Sequence, residues 1–268
     1  MSDVNKSVIK HLINKAFSFF IKYLPAFLLF FMTFIIWEFV VIWFNIPNFV
    51  LPKPTIIISR IIIEKSMLFS NLKVTVIAAT GGFLIGSIVA FMLAVSFLYS
   101  KTIEQSVYPW AIIIKGIPIV AIAPLLTIWL GYGIAPKITI AAIISFFPLL
   151  VNASLGLQSI EYQAMDLLQL LGATKWEIFL KLRLPNSLPY LFSSFKISIT
   201  MAIVGAIVAE FTGSEEGIGN VIIQASYRLD AVLLFAAIFV SSLTSICMFY
   251  FIVLLEKICI YWPTTNTK

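Results

Sequence analysis

Apolar runs near 20 residues, the length that crosses a hydrocarbon layer of ~30 Å, alternate along this chain with short polar punctuation. The pattern predicts spanning helices at about 25–44, 72–98, 108–130, 138–157, 188–211 and 231–258. The second of these carries Gly81, Gly82, Gly86 and Ala90, and small residues at that spacing let another helix come close. The third is interrupted by Lys115-Gly-Ile-Pro118 and by Pro124. That break marks either an unwound stretch facing a cavity or a proline kink packed on its neighbours. Between the first two runs, Asn45-Ile-Pro-Asn-Phe-Val-Leu-Pro-Lys-Pro-Thr55 is too rich in proline to stay helical. The following stretch, 56–69, is broken by Arg60, Glu64 and Lys65 on one face and predicts an interfacial helix, not a span.

One segment departs from this rhythm. From 159 to 189 the chain reads as amphipathic and water-facing, with Ile160, Ala164, Leu167, Leu168 and Leu171 at helical spacing and Gln163, Asp166 and Gln169 on another face. Gly172 permits the turn that ends this helix, and Thr174 with Glu177 forms a capping-box pattern that opens a second, short one. The short helix sets Ile178, Phe179 and Leu182 against Lys175, Lys181 and Arg183. Pro185 predicts an extended Leu184 that terminates it.

Composition sharpens the class. With 61% hydrophobic and 11% charged residues over 268 positions and a mean hydropathy of +1.05, the chain reads as an all-α, polytopic membrane protein with the lipid bilayer as its surroundings. The net charge of +6 lies mostly at the ends of apolar runs, where it anchors helices, and is no nucleic-acid signature. An even number of spans puts both termini on one side. The basic residues favour the side holding the N-terminus, Lys101, the segment 159–187 and Lys257, against Lys53, Arg60 and Lys65 opposite, so that side is expected to be cytoplasmic. Residues 1–24 form a basic amphipathic arm with no small-residue cleavage site after it, expected on the cytoplasmic membrane surface. The division expected is this arm, a membrane domain at 25–258 and a cytoplasmic tail at 259–268. Cys247 and Cys259 lie in or beside the last apolar run and predict no disulfide.

Chemistry is sparse. The only histidine, His11, excludes histidine-based hydrolysis and a histidine-rich metal site, and no Gly-x-x-x-x-Gly-Lys-Ser/Thr loop is present to bind ATP. The chain is expected to be no enzyme, with no cofactor, and any active transport must draw energy from a partner.

The acidic residue, the glycine six positions later and the Leu-Pro pair that ends thirteen positions after that glycine resemble the loop of inner-membrane permeases of bacterial ATP-binding-cassette importers. In that family the consensus is Glu-Ala-Ala, three residues, Gly, nine residues, Ile-x-Leu-Pro. Asp166, Gly172, Leu182, Leu184 and Pro185 stand on the matching positions, while Asp166-Leu167-Leu168 replaces Glu-Ala-Ala. The runs Leu51-Pro-Lys-Pro54 and Lys115 to Gly133 are similar to the subgroup serving nitrate, sulfonates, taurine and thiamine pyrimidine precursors. The resemblance implies the type I importer permease fold and residence in the bacterial inner membrane. It also implies a homodimer, a cytoplasmic ATPase and a solute-binding protein outside the membrane. It assigns Asp166 to a polar contact of the coupling loop 159–187, Gly172 to its turn, Ala173, Thr174, Lys175, Trp176 and Glu177 to the docking helix, and Pro185 to the exit into the fifth span. Ser198, Thr200 and Glu210 are candidates for the pathway wall, and the polar connector 213–230 for contact with the binding protein. A small heterocycle is the favoured solute class. The competing expectation is an ion-coupled secondary transporter, which needs intramembrane acids paired with bases, with Glu38 and Glu210 as candidates.

Overall fold

The computed structural model describes Leu24, Pro25 and residues 27–262. The basic arm expected before them and the last residues of the tail lie outside the described residues. Helices α1 (Phe27–Trp43), α2 (Pro54–Ile63), α3 (Lys65–Tyr99), α4 (Lys101–Gly116), α5 (Ile119–Leu130), α6 (Ile134–Gln158), α7 (Tyr162–Leu170), α8 (Lys175–Ile178), α9 (Leu184–Glu210), α10 (Ile218–Tyr227) and α11 (Ala231–Cys259) follow one another. No strand occurs among the described residues.

The centre of the bundle is the trio α3, α6 and α9, packed through small residues. A Cβ on Gly86 of α3 would stand 2.7 Å from the Ala142 carbonyl of α6, and one on Gly205 of α9 would stand 2.9 Å from the Ala141 Cα. The glycines therefore set the helix spacing. Ala78, Ala79, Ala141, Ala202, Ile203 and Ala206 fill the seam with almost no exposure. Toward the end that carries α7 and α8, Phe97, Leu149, Leu150, Leu157 and Phe179 form a second core cluster. The outer faces of α1 and α11 stay apolar and open, with Phe31, Ile35, Phe39, Ile246 and Leu254 more than half exposed, as helices facing lipid should be.

Helices α3, α6 and α11 are long and apolar enough to cross a membrane, and so is the rod Lys175–Glu210. The third predicted span breaks where the sequence placed its interruption, and α4 and α5 meet at 100°. Pro118 has no N–H to give, and Ile117 before it is held extended at φ −77°, ψ 128°, so the α-helical ladder cannot pass through. The interfacial helix expected at 56–69 stops at Ile63, and Lys65 already opens the 35-residue α3. Arg60 explains the placement of α2, since its Nη2 donates to Asp230 at 2.8 Å and ties the helix to the start of α11.

Glu38 does not sit against lipid unpartnered. Its carboxylate accepts from the Thr55 N–H at 3.1 Å and the Thr55 hydroxyl at 2.7 Å, capping the first turn of α2.

Candidate functional site: the α7–α8 hairpin and the far-end network

The water-facing segment folds as a helical hairpin projecting from one end of the bundle. At the close of α7, the Gly172 N–H donates to Gln169 O at 2.9 Å and the Ala173 N–H to Leu168 O at 3.0 Å. These paired bonds need a left-handed residue, and Gly172 supplies it at φ +75°. Thr174 then caps α8: its hydroxyl accepts from the Glu177 N–H at 3.3 Å, while the Glu177 carboxylate accepts from the Thr174 N–H at 2.9 Å. Both joints of the hairpin are thus hydrogen-bonded.

The surface this hairpin presents is apolar without cover. Tyr162, Leu170, Leu171 and Trp176 are 87%, 86%, 73% and 64% exposed, and α7 has no buried residue. Trp176 lies stacked on Phe179, with ring centroids 5.6 Å apart, and Phe179 is itself buried in the bundle. Asp166 is exposed on the same helix. The hydrogen bonds from Thr174 and the Lys181 ammonium 3.3 Å away pull the Glu177 carboxyl down to about 2.

The exit into the fifth span corrects the sequence expectation for Pro185. Leu184 is helical at φ −64°, ψ −49°, not extended, and α8 runs on into α9. Between them Phe179–Arg183 is a π-helical turn, with the Leu184 N–H reaching back to Phe179 O. In an α-helix the Pro185 ring would collide with the Lys181 carbonyl; the wider turn moves that carbonyl aside, and the missing N–H costs no bond. Lys175–Glu210 therefore forms one 36-residue rod, ~54 Å long at 1.5 Å per residue. That exceeds the hydrocarbon thickness, so the α8 end stands outside it. Arg183 donates to Leu157 O at 2.8 Å, and Asn186 donates to Ser159 O, clamping the end of α6 to the rod.

The three residues expected along the pathway are spread along α9. Ser198 is fully buried and donates to Ser145 O of α6 at 2.8 Å. Thr200 is half-buried and bonds within its own helix. Glu210 is fully buried at the far end, where it accepts from Thr75 and the Gly219 N–H and lies 3.9 Å from Lys137 Nζ. The sequence did not single out Lys137, Thr75 or the Lys196–Glu256 pair at 2.7 Å between α9 and α11. A lysine inside an apolar run was the available signal for the first. The connector 213–230 also hides a helix, α10.

A cavity of about 570 Å³ opens at this far end between the Gly131–Gly133 turn and residues 213–216, with Lys137 at its wall. No group of three or more metal-ligating side chains occurs among the described residues.

Residues 82–258 match the family model described as binding-protein-dependent transport system inner membrane component. The chain belongs to that family. This member is 32% identical over 88% of its length to the formylaminopyrimidine transport permease protein ThiX of Halalkalibacterium halodurans, of which it covers 94%. It is 30% identical over 86% of its length to the riboflavin transport system permease protein RibX of Chloroflexus aurantiacus, covering 87% of that protein. A chain of the MetNI methionine ABC transporter in an inward-facing conformation shares the fold, with a TM-score of 0.60 at 18% identity, over 73% of this chain and 95% of that one. The permease is a multi-pass inner-membrane transport component of the importer type, and the ion-coupled carrier expectation gives way to it.

Proposed function

We propose that two copies of this permease form the pathway of an ATP-driven importer. A cytoplasmic ATPase docks on the α7–α8 hairpin of each copy, and a binding protein delivers solute at the opposite, extracytoplasmic end. The observation that carries the reading is the hairpin: fixed at both joints, apolar, and uncovered outside the bundle. Exposed apolar surface of that kind suits a partner's groove. In this reading Asp166 adds a polar contact at its edge, and Ala173, Thr174, Lys175, Trp176 and Glu177 enter the groove with Gly172 at the turn.

The rod gives docking a mechanical outlet. A push on α8 passes through the π-turn into α9 and, through Arg183 and Asn186, into the end of α6. With no phosphate-binding loop in the sequence, ATP turnover belongs to the partner. The basic residues Lys101, Lys175, Lys181 and Lys257 at the hairpin end support a cytoplasmic location for 159–187, for the arm 1–24 and for the tail from 259.

The open face of α9, with Ile197, Met201 and Val204 near half exposure and Thr200 beside them, lines the pathway against the second copy. Ser198 and Glu210 shape it from behind. The similarity to a formylaminopyrimidine permease supports a small heterocycle as solute. The test is a detergent pull-down of the tagged chain co-expressed with the ATPases of its source cell. A two-to-two complex is expected; a chain that purifies alone under every nucleotide condition overturns the proposal.

A further inference from the structure

Glu210 ends the rod that begins with the docking helix, and it is the point on which the far end of the molecule converges. Its carboxylate accepts from the Thr75 hydroxyl of α3 at 2.9 and 3.0 Å and from the Gly219 N–H at 2.8 Å. Lys137 of α6, 3.9 Å from it, donates to Glu216 O at 2.7 Å. The Thr75 hydroxyl also accepts from the Ile218 N–H at 2.9 Å, and Asn71 Oδ1 accepts from the Gly217 N–H at 2.8 Å. Residues 213–219 thus form a strap hung across the ends of α3, α6 and α9.

The glycines of the strap are fitted to the carboxylate. A Cβ on Gly217 would overlap the Glu210 carboxyl group, and one on Gly219 would lie 2.7 Å from the Glu210 Cβ. For a buried carboxylate held this way a half-broken state strands an unpaired polar group, so partial release costs more than either of two arrangements, full partnering or release to water. The 570 Å³ cavity lies against the strap at Gly213–Glu216, which leaves room for the second arrangement.

We propose that Glu210 is a positioning residue for transport: with Thr75 and Lys137 it latches the strap 213–219 shut over the far mouth, and displacement of α9 from its docking end releases it. The proposal rests on the importer reading. Because Thr75 belongs to α3, a shift of α9 away from that helix stretches the Thr75–Glu210 hydrogen bonds, which weaken steeply beyond normal length, and a shift away from α6 lengthens the Lys137–Glu210 ion pair. One helix therefore carries the signal from hairpin to strap with no intermediate part.

A cross-link separates a moving latch from a static pin. Thr75→Cys with Ile218→Cys, in a chain carrying Cys247→Ser and Cys259→Ser, is assembled with the partner ATPase in lipid nanodiscs, with ATP turnover as the probe. Oxidation is expected to lower turnover about tenfold and reductant to restore it, so each sample serves as its own folding control. Glu210→Gln keeps the shape but weakens the charge-assisted bonds, and should raise turnover without binding protein about tenfold, the factor for one such bond. Equal turnover in oxidised and reduced samples, or unchanged basal turnover in Glu210→Gln, overturns the latch. If no ATPase co-purifies with the unaltered chain, the importer reading fails and the latch falls with it.

Discussion

Substitution at Gly172 separates what the hairpin needs for itself from what a partner needs of it. The residue sits at φ +75°, and a Cβ added there meets nothing within 4 Å. Alanine therefore carries only the backbone penalty for a left-handed residue with a side chain, about 1–2 kcal/mol, which shifts the turn against its open forms by about 5–30-fold. Tryptophan carries the same backbone penalty, and its ring projects into open space. In the isolated permease Gly172→Ala and Gly172→Trp should have the same melting temperature, close to the unaltered chain, because α7 contributes no buried residue. In the complex they should part: Gly172→Ala retains much of the ATPase in a pull-down, and Gly172→Trp loses it because the indole occupies the partner's place. The reasoning is refuted by a Gly172→Trp chain that recovers ATPase at the unaltered level, or by one that melts far below Gly172→Ala when alone.

Asp166 is exposed, so Asp166→Ala should change the stability of the isolated chain by no more than about 0.5 kcal/mol while reducing ATPase recovery. Glu177 has its folded pKa, about 2, below its ordinary 4.5. The capping box is therefore at full strength above pH 4.5 and lost as pH falls through about 2, a transition readable in Trp176 fluorescence once the other tryptophans are replaced by phenylalanine. Gly205→Leu drives a side chain into the backbone of α6 at Ala141 and should destabilise the bundle by about 1–3 kcal/mol. Thermal aggregation in detergent checks it, and Gly172→Ala is its control.

What the sequence could reveal depended on how local the determinant was. The Schellman turn at Gly172 and the capping box at Thr174 each involve residues within five positions, and both were legible. The small-residue face of α3 announced a close neighbour, though not that the neighbour is α6. Pro185 was misread because the rule that proline ends a helix assumes α-geometry before it, and the π-turn at Phe179–Arg183 has no comparable local signature. The bend at Pro118 was visible as a break, but its 100° angle comes from how α4 and α5 pack on different parts of the bundle. The partners of Glu210 were not legible, because Thr75 and Lys137 lie 135 and 73 positions away and nothing near Glu210 in the sequence points to either.

The π-turn also fixes an azimuth. Each residue of an α-helix rotates the chain by about 100°; the wider five-residue turn Phe179–Arg183 winds less per residue, so it takes up one extra residue while keeping Trp176 and the hairpin close to the direction that a regular helix would give them relative to α9. Deleting one residue from the regular helix beside it, where no wider turn takes up the change, would leave the bundle intact yet swing the hairpin by about 100°, aiming its apolar surface in a new direction. Length in this stretch is therefore information about bearing. Insertions and deletions that a surface loop absorbs without consequence would here leave a well-folded protein pointing its handle the wrong way.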